Sequence, residues 1–150
     1  MLASDFVDRV AAVKWQDYET AYGNAAVVER HLRNLVSSDH DTAMSATHDL
    51  WGGLCHQHAY VSSAALPACP LLLEVFDATT DLIRVELMDI FLGFVSCTHP
   101  QHTTLVWQHE LHALMTAELP RFRELANHSN SDIVDFAELI LESFDAASNA

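Results

Sequence analysis

Apolar residues recur at helical spacing along most of this chain. Val28, Leu32 and Leu35 share one face of residues 25–36, the three- and four-residue rhythm of an amphipathic helix. The same period predicts helices over 4–13, 41–51, 81–95, 103–119 and 132–144. On 81–95 the apolar residues include Leu82, Val85 and Phe91. A buried helix over 58–76 is expected to break near Pro67 and Pro70, because proline removes a backbone hydrogen bond and collides with the preceding turn. Pro120 is expected to kink the helix before it or start a new short one. Ser4 is placed to cap the first helix, and Thr79 or Thr80 the helix from 81. Ser38 with Asp41, and Ser129 with Asp132, have the spacing of a capping box. Gly52-Gly53 is expected to stop the helix before it. Residues 14–24 read as a loop whose Trp15, Tyr18 and Tyr22 staple the first hairpin.

The segments pair. Residues 32–35 with 41–51, 71–76 with 81–95, and 122–125 with 132–144 form three helical hairpins joined by short turns. Turn-to-turn separations of about forty to fifty residues match the period of HEAT-type repeats. Such units cannot bury their apolar faces alone, so they stack and expose a concave surface. The expected fold is one all-α domain over 1–150, a short α-α superhelix of HEAT-like hairpins. An irregular helical bundle is the alternative. Gly and Pro together number eight, too few for a turn-rich β sandwich or barrel.

Charge narrows the function. There are 21 Asp and Glu against 7 Lys and Arg, a net charge of −14. Phosphate backbones want clustered cations, so nucleic acid is excluded as a direct ligand, and an anionic membrane surface with it. A basic protein partner fits. Three cysteines, Cys55, Cys69 and Cys97, lie among apolar residues and form no disulfide framework, as expected of a reducing cytoplasm. The first residues show no basic and then apolar run, so no secretory signal is expected. Residues 50–73 lack charge but include Gly52, Gly53, His56, His58, Pro67 and Pro70. A buried central helix is the reading there, not a membrane span.

The sharpest electrostatic feature is the last predicted helix. Asp132, Asp135, Glu138, Glu142 and Asp145 are spaced three, three, four and three apart, which places five carboxylates along one side. Ile133, Phe136, Ala137, Ile140 and Phe144 fall on the other. With the helix ending near Phe144, Glu142 and Asp145 sit where the macrodipole disfavours anions by about 0.3–1 kcal/mol each, which argues for a use beyond solubility. Asp77, Asp81, Glu86 and Asp89 form a second acidic group, diluted by Arg84, and read as solvated surface. Cys97, His99, His102, His109 and His112 fall within sixteen residues and are of the types that bind zinc. Yet His109-Glu110-Leu111-His112 is one residue short of His-Glu-x-x-His, and no Cys-x-x-Cys is present. No nucleophile elbow or phosphate-cradling glycine loop occurs, and Cys55 beside His56 would point away from it on a helix. His56 and His58 are placed to hydrogen-bond the end of the preceding helix.

Two segments carry a resemblance. Trp15-Gln16-Asp17-Tyr18-Glu19-Thr20-Ala21-Tyr22-Gly23-Asn24-Ala25 is one. Leu54-Cys55-His56-Gln57, followed by Leu66-Pro67-Ala68-Cys69-Pro70-Leu71-Leu72, is the other. Together they resemble a family of bacterial HEAT-repeat-like proteins over residues 15–76. His58 stands where that family usually carries glycine. The resemblance implies an α-α superhelix used for protein binding, and some members look like immunity proteins of toxin systems.

The expected function is therefore a cytoplasmic, non-enzymatic protein-binding module without cofactor. It would be an immunity protein neutralising a basic toxin domain, a nuclease being favoured by charge, through Asp132, Asp135, Glu138, Glu142 and Asp145. The rivals are a small zinc-binding hydrolase using Cys97, His99, His102, His109 and His112, and a non-catalytic scaffold subunit.

Overall fold

A computed structural model of the chain describes residues 2–149. The described residues are mostly helical: α1 Phe6–Ala12, α2 Ala26–Leu35, α3 His40–Cys55, α4 Ala65–Ala78, α5 Asp81–Ser96, α6 Val106–Ala117, α7 Leu119–Leu125 and α8 Ser131–Asn149. Short 3₁₀ turns occupy Trp15–Asp17, His56–His58 and Pro100–His102. Two strands, β1 Glu19–Thr20 and β2 Gly23–Asn24, form a small antiparallel hairpin. No helix among the described residues is long and apolar enough to cross a membrane.

The three expected helix pairs occur as α2/α3, α4/α5 and α7/α8, each packed along its length or at its turn. Their second helices also pack on one another: α5 lies against α3 on one side and α8 on the other. Contacts run in the same order along them. The end of α3 at Cys55 meets Gly93 near the end of α5. Val85 of α5 sits beside Asp132 and Phe136 of α8, and Ser96 meets Ser143 at 3.3 Å. At the other end Val36 and Ser37, shortly before α3, line one pocket with Thr80, just before α5; the three helices are thus parallel, and α4 and α6 also pack on α5. Phe91 of α5 is fully buried, its ring 6.0 Å from Phe76 of α4 and 6.2 Å from Phe122 of α7.

Several local expectations are corrected. Gly52 and Gly53 do not end α3, which runs on to Cys55. They make a flat face instead, because a Cβ at Gly52 would lie 3.2 Å from the Tyr22 hydroxyl and one at Gly53 3.6 Å from Thr20. Residues 14–24 are not a plain loop. Their hairpin is tied down by Ala21 N–H donating to the Gly53 carbonyl at 2.8 Å and Ala64 N–H donating to the Glu19 carbonyl at 3.1 Å. The hairpin is thus bonded to the last turn of α3 and to the residue just before α4. The helix expected over 58–76 begins only at Ala65, leaving Pro67 in its first turn, where no intrahelical bond is lost. Pro70 lies inside α4 without ending it. The caps shift by one residue: Asp39 accepts from Thr42 N–H at 3.0 Å, and Asn130 accepts from the N–H groups of Asp132 and Ile133. Leu82 is 64% exposed, not core.

Candidate functional site

The last helix carries the expected face. Asn130 satisfies two loose N–H groups at its start, as capping requires. Ile133, Ala137, Ile140 and Phe144 are buried against the body of the protein, while Asp132, Asp135, Glu138, Glu142 and Asp145 are all exposed. Because α8 continues to Asn149, Glu142 and Asp145 lie before its last turn. The dipole cost expected for them does not arise there, since the effect fades within one turn.

What sets this face apart is a continuous row of five carboxylates with no cation among them. Arg9 pairs with Asp5 and Glu74, Arg33 with Glu29, Arg84 with Asp81, and Arg121 with Asp77 and Glu118. His58 meets Asp89 at 2.8 Å and His31 meets Asp49 at 3.7 Å. The second acidic group is thus largely partnered within the fold. Among the described residues, none of the five carboxylates of α8 has a cationic neighbour.

Sequence reasoning missed an apolar feature inside that face. Leu139, 46% exposed, stands one turn beyond Asp135 and one turn before Glu142. With Val85, Phe136, Asp132 and Asp135 it lines an open groove of about 380 Å³ between α5 and α8. Leu82, one turn before Val85 on α5, is also exposed. The signal was present in the sequence: on a helical wheel Leu139 falls within the arc of the carboxylates.

The residues of the zinc reading are used otherwise. The Cys97 thiol donates to the His58 carbonyl at 3.2 Å. His112 Nδ1 bonds Thr98 Oγ1 at 3.1 Å, His99 Nε2 bonds Ser143 Oγ at 3.2 Å, and His109 Nε2 meets the Thr103 carbonyl at 2.7 Å. His102 is exposed, its ring 6.0 Å from that of His99. Among the described residues no three His, Cys, Asp or Glu side chains converge to hold a metal ion. Burial pushes the thiols of Cys55, Cys69 and Cys97 up, Cys69 to about 12, away from the thiolate needed for attack or ligation.

The turn after α3 is strained. Gln57 and His58 have φ values of 54° and 62°, the left-handed region that costs a residue with a Cβ about 1–2 kcal/mol. Glycine would enter this region freely. Here the His58 ring anchors the turn, meeting both the carboxylate and the carbonyl of Asp89 on α5 at 2.8 and 2.9 Å. It does not bond the end of α3 as expected. His56 sits between Tyr22 and Tyr60, with ring centroids 5.9 and 5.0 Å away. Trp15 is buried and donates to the Val10 carbonyl at 2.8 Å, but Tyr22 is 75% exposed; only part of the aromatic staple is core. A cavity of about 70 Å³ beneath the hairpin is lined by Thr20, Tyr22, His31 and Asp49.

The histidines make stability depend on pH. Desolvation holds His31, His99 and His112 below the ordinary value of 6.5, aided by His102 at His99 and by His99 and His109 at His112. These bases are kept neutral by the fold, so their contribution is present above 6.5 and is lost as pH falls through their lowered values. His58 is raised, chiefly by its bond to Asp89, and its contribution is present below 6.5 and lost as pH rises through its raised value. With three against one, the urea midpoint is expected to drop between pH 6.5 and about pH 5. His112→Gln should shallow that drop; a midpoint that rises on acidification would contradict this account.

Comparison with protein-family models, curated proteins and solved structures finds no match to this chain.

Proposed function

We propose that this chain is a non-enzymatic binding module that docks a basic protein surface against the carboxylate face of α8. The observation that carries the reading is the continuity of the row. Other carboxylates are scattered, and eight of them meet Arg or His, whereas Asp132, Asp135, Glu138, Glu142 and Asp145 share one exposed face of a single helix with no cation among them. A one-signed row of this kind draws an oppositely charged partner in and speeds encounter more than it tightens the final complex.

The finer reading is an immunity protein that neutralises a basic toxin domain. The resemblance over residues 15–76 and the charge support it. An enzyme that grips phosphates displays Lys and Arg, and an acidic inhibitor can occupy that cleft. The HEAT-like superhelix belongs to the same proposal. Its support is the parallel row α3, α5 and α8, since the second helices of stacked repeats lie side by side in this way.

The test begins with the neighbouring genes. A large upstream protein ending in a small basic domain, which copurifies with this chain and whose toxicity the chain suppresses, is expected; a metabolic operon would sink the immunity reading. With that domain in hand, the triple reversal Asp135→Lys, Glu138→Lys and Glu142→Lys is expected to slow association at least about tenfold at low salt. An unchanged on-rate would remove α8 as the docking face.

A further inference from the structure

The groove between α5 and α8 adds shape to the charge. It is lined by Val85 and Phe136, both half-buried, and by the exposed Leu139. Asp132 and Asp135 line the same groove. Isolated exposed leucines are ordinary. One that lines an apolar groove beside unpaired carboxylates, with Val85 and Phe136 next to it, belongs to an amphipathic surface. The nearest cation on α5 is directed elsewhere: Arg84 donates to the carbonyls of Phe76 and Asp77 and to Asp81.

We infer that this groove receives a basic amphipathic helix of the partner protein. The inference rests on the reading of α8 as the docking face and specifies what docks there. Two parallel helices leave a furrow along which a third can lie, its side chains seated between theirs. Such a helix presents apolar residues at i, i+3 or i+4, and i+7. They would cover Val85, Phe136 and Leu139. Lys or Arg one position to the side would reach Asp132 and Asp135. A smooth basic surface could meet the carboxylates but would leave the groove open. An acidic helix would be repelled by them.

Three synthetic probes test this in fluorescence anisotropy at physiological salt. The first is a Leu/Lys peptide with leucines at helical spacing. The second has the same composition with the order permuted so that no apolar stripe forms. The third is oligolysine. The patterned peptide is expected to bind at least about tenfold more tightly than the permuted one. The double variant Leu82→Ser, Leu139→Ser alters exposed side chains only. It should abolish that preference while leaving oligolysine affinity unchanged. Equal binding of the two peptides, or a preference that survives in the double variant, would overturn the helix-docking inference and leave the electrostatic reading standing. Oligolysine binding that is indifferent to reversal of Asp135, Glu138 and Glu142 would instead overturn the α8 face itself.

Discussion

Phe91→Ala is expected to destabilise the protein by about 3–5 kcal/mol. The ring is fully buried at the meeting of three helices, edge-on or tilted to Phe76, Phe94 and Phe122 at 6.0–6.4 Å. Its removal leaves a cavity that α4, α5 and α7 cannot close without moving together. The loss of aromatic pairing adds about 0.5–1.5 kcal/mol per pair to the lost burial. Against a typical total of about 5–15 kcal/mol, this is a large fraction. For a chain of this length it corresponds to a fall in Tm of about 10 °C or more. Urea and thermal unfolding check it; a loss under about 1.5 kcal/mol would show that α5 is not the centre of the core.

Gly93→Val is the second large effect, about 3 kcal/mol. A Cβ at Gly93 would lie 2.9 Å from Cys55 Cβ, Cys55 Sγ and His58 Cδ2. Cys55 is fully buried and cannot swing aside. The crossing of α3 and α5 must widen, or the strained turn at Gln57 and His58 must give. Valine is also only slightly better than glycine in a helix, so little propensity offsets the collision. Gly52→Val is the control, because what meets a Cβ there is the end of the exposed Tyr22 side chain, at 3.2 Å. It should cost clearly less. Equal costs for the two would mean that the contact at Gly93 relaxes freely. Loss of the His58–Asp89 bond, seen as an altered histidine titration by NMR, should accompany Gly93→Val alone.

The helices were legible because their apolar period is long and regular. Val28, Leu32 and Leu35 on α2, and Ile133, Ala137, Ile140 and Phe144 on α8, are buried where the spacing puts them. The hairpin at residues 19–24 was not legible, since two-residue strands have no alternation to read. Gly52 and Gly53 misled for a physical reason. They are flat places where another segment comes close, and a local rule that treats glycine as a breaker cannot see the approaching segment. The carboxylate face was legible from spacing alone. The groove beside it was not, because it depends on how α8 lies against Val85 of α5, which no local pattern encodes. Leu139 could have been found from its place among the acids.

The parallel course of α3, α5 and α8 gives the molecule an electrical polarity. Each helix carries roughly half a positive charge at its N-terminus and half a negative charge at its C-terminus. Side by side and pointing the same way, the three would repel, were their ends not tempered. At one end stand Asp39, Asp81 and Asp132, a carboxylate at each helix start. At the other, α3 runs into His56 and His58, and α5 into His99 and His102. A charged body that approaches would therefore meet a carboxylate at each helix start on one side and histidines on the other, and that difference would orient it before any contact forms.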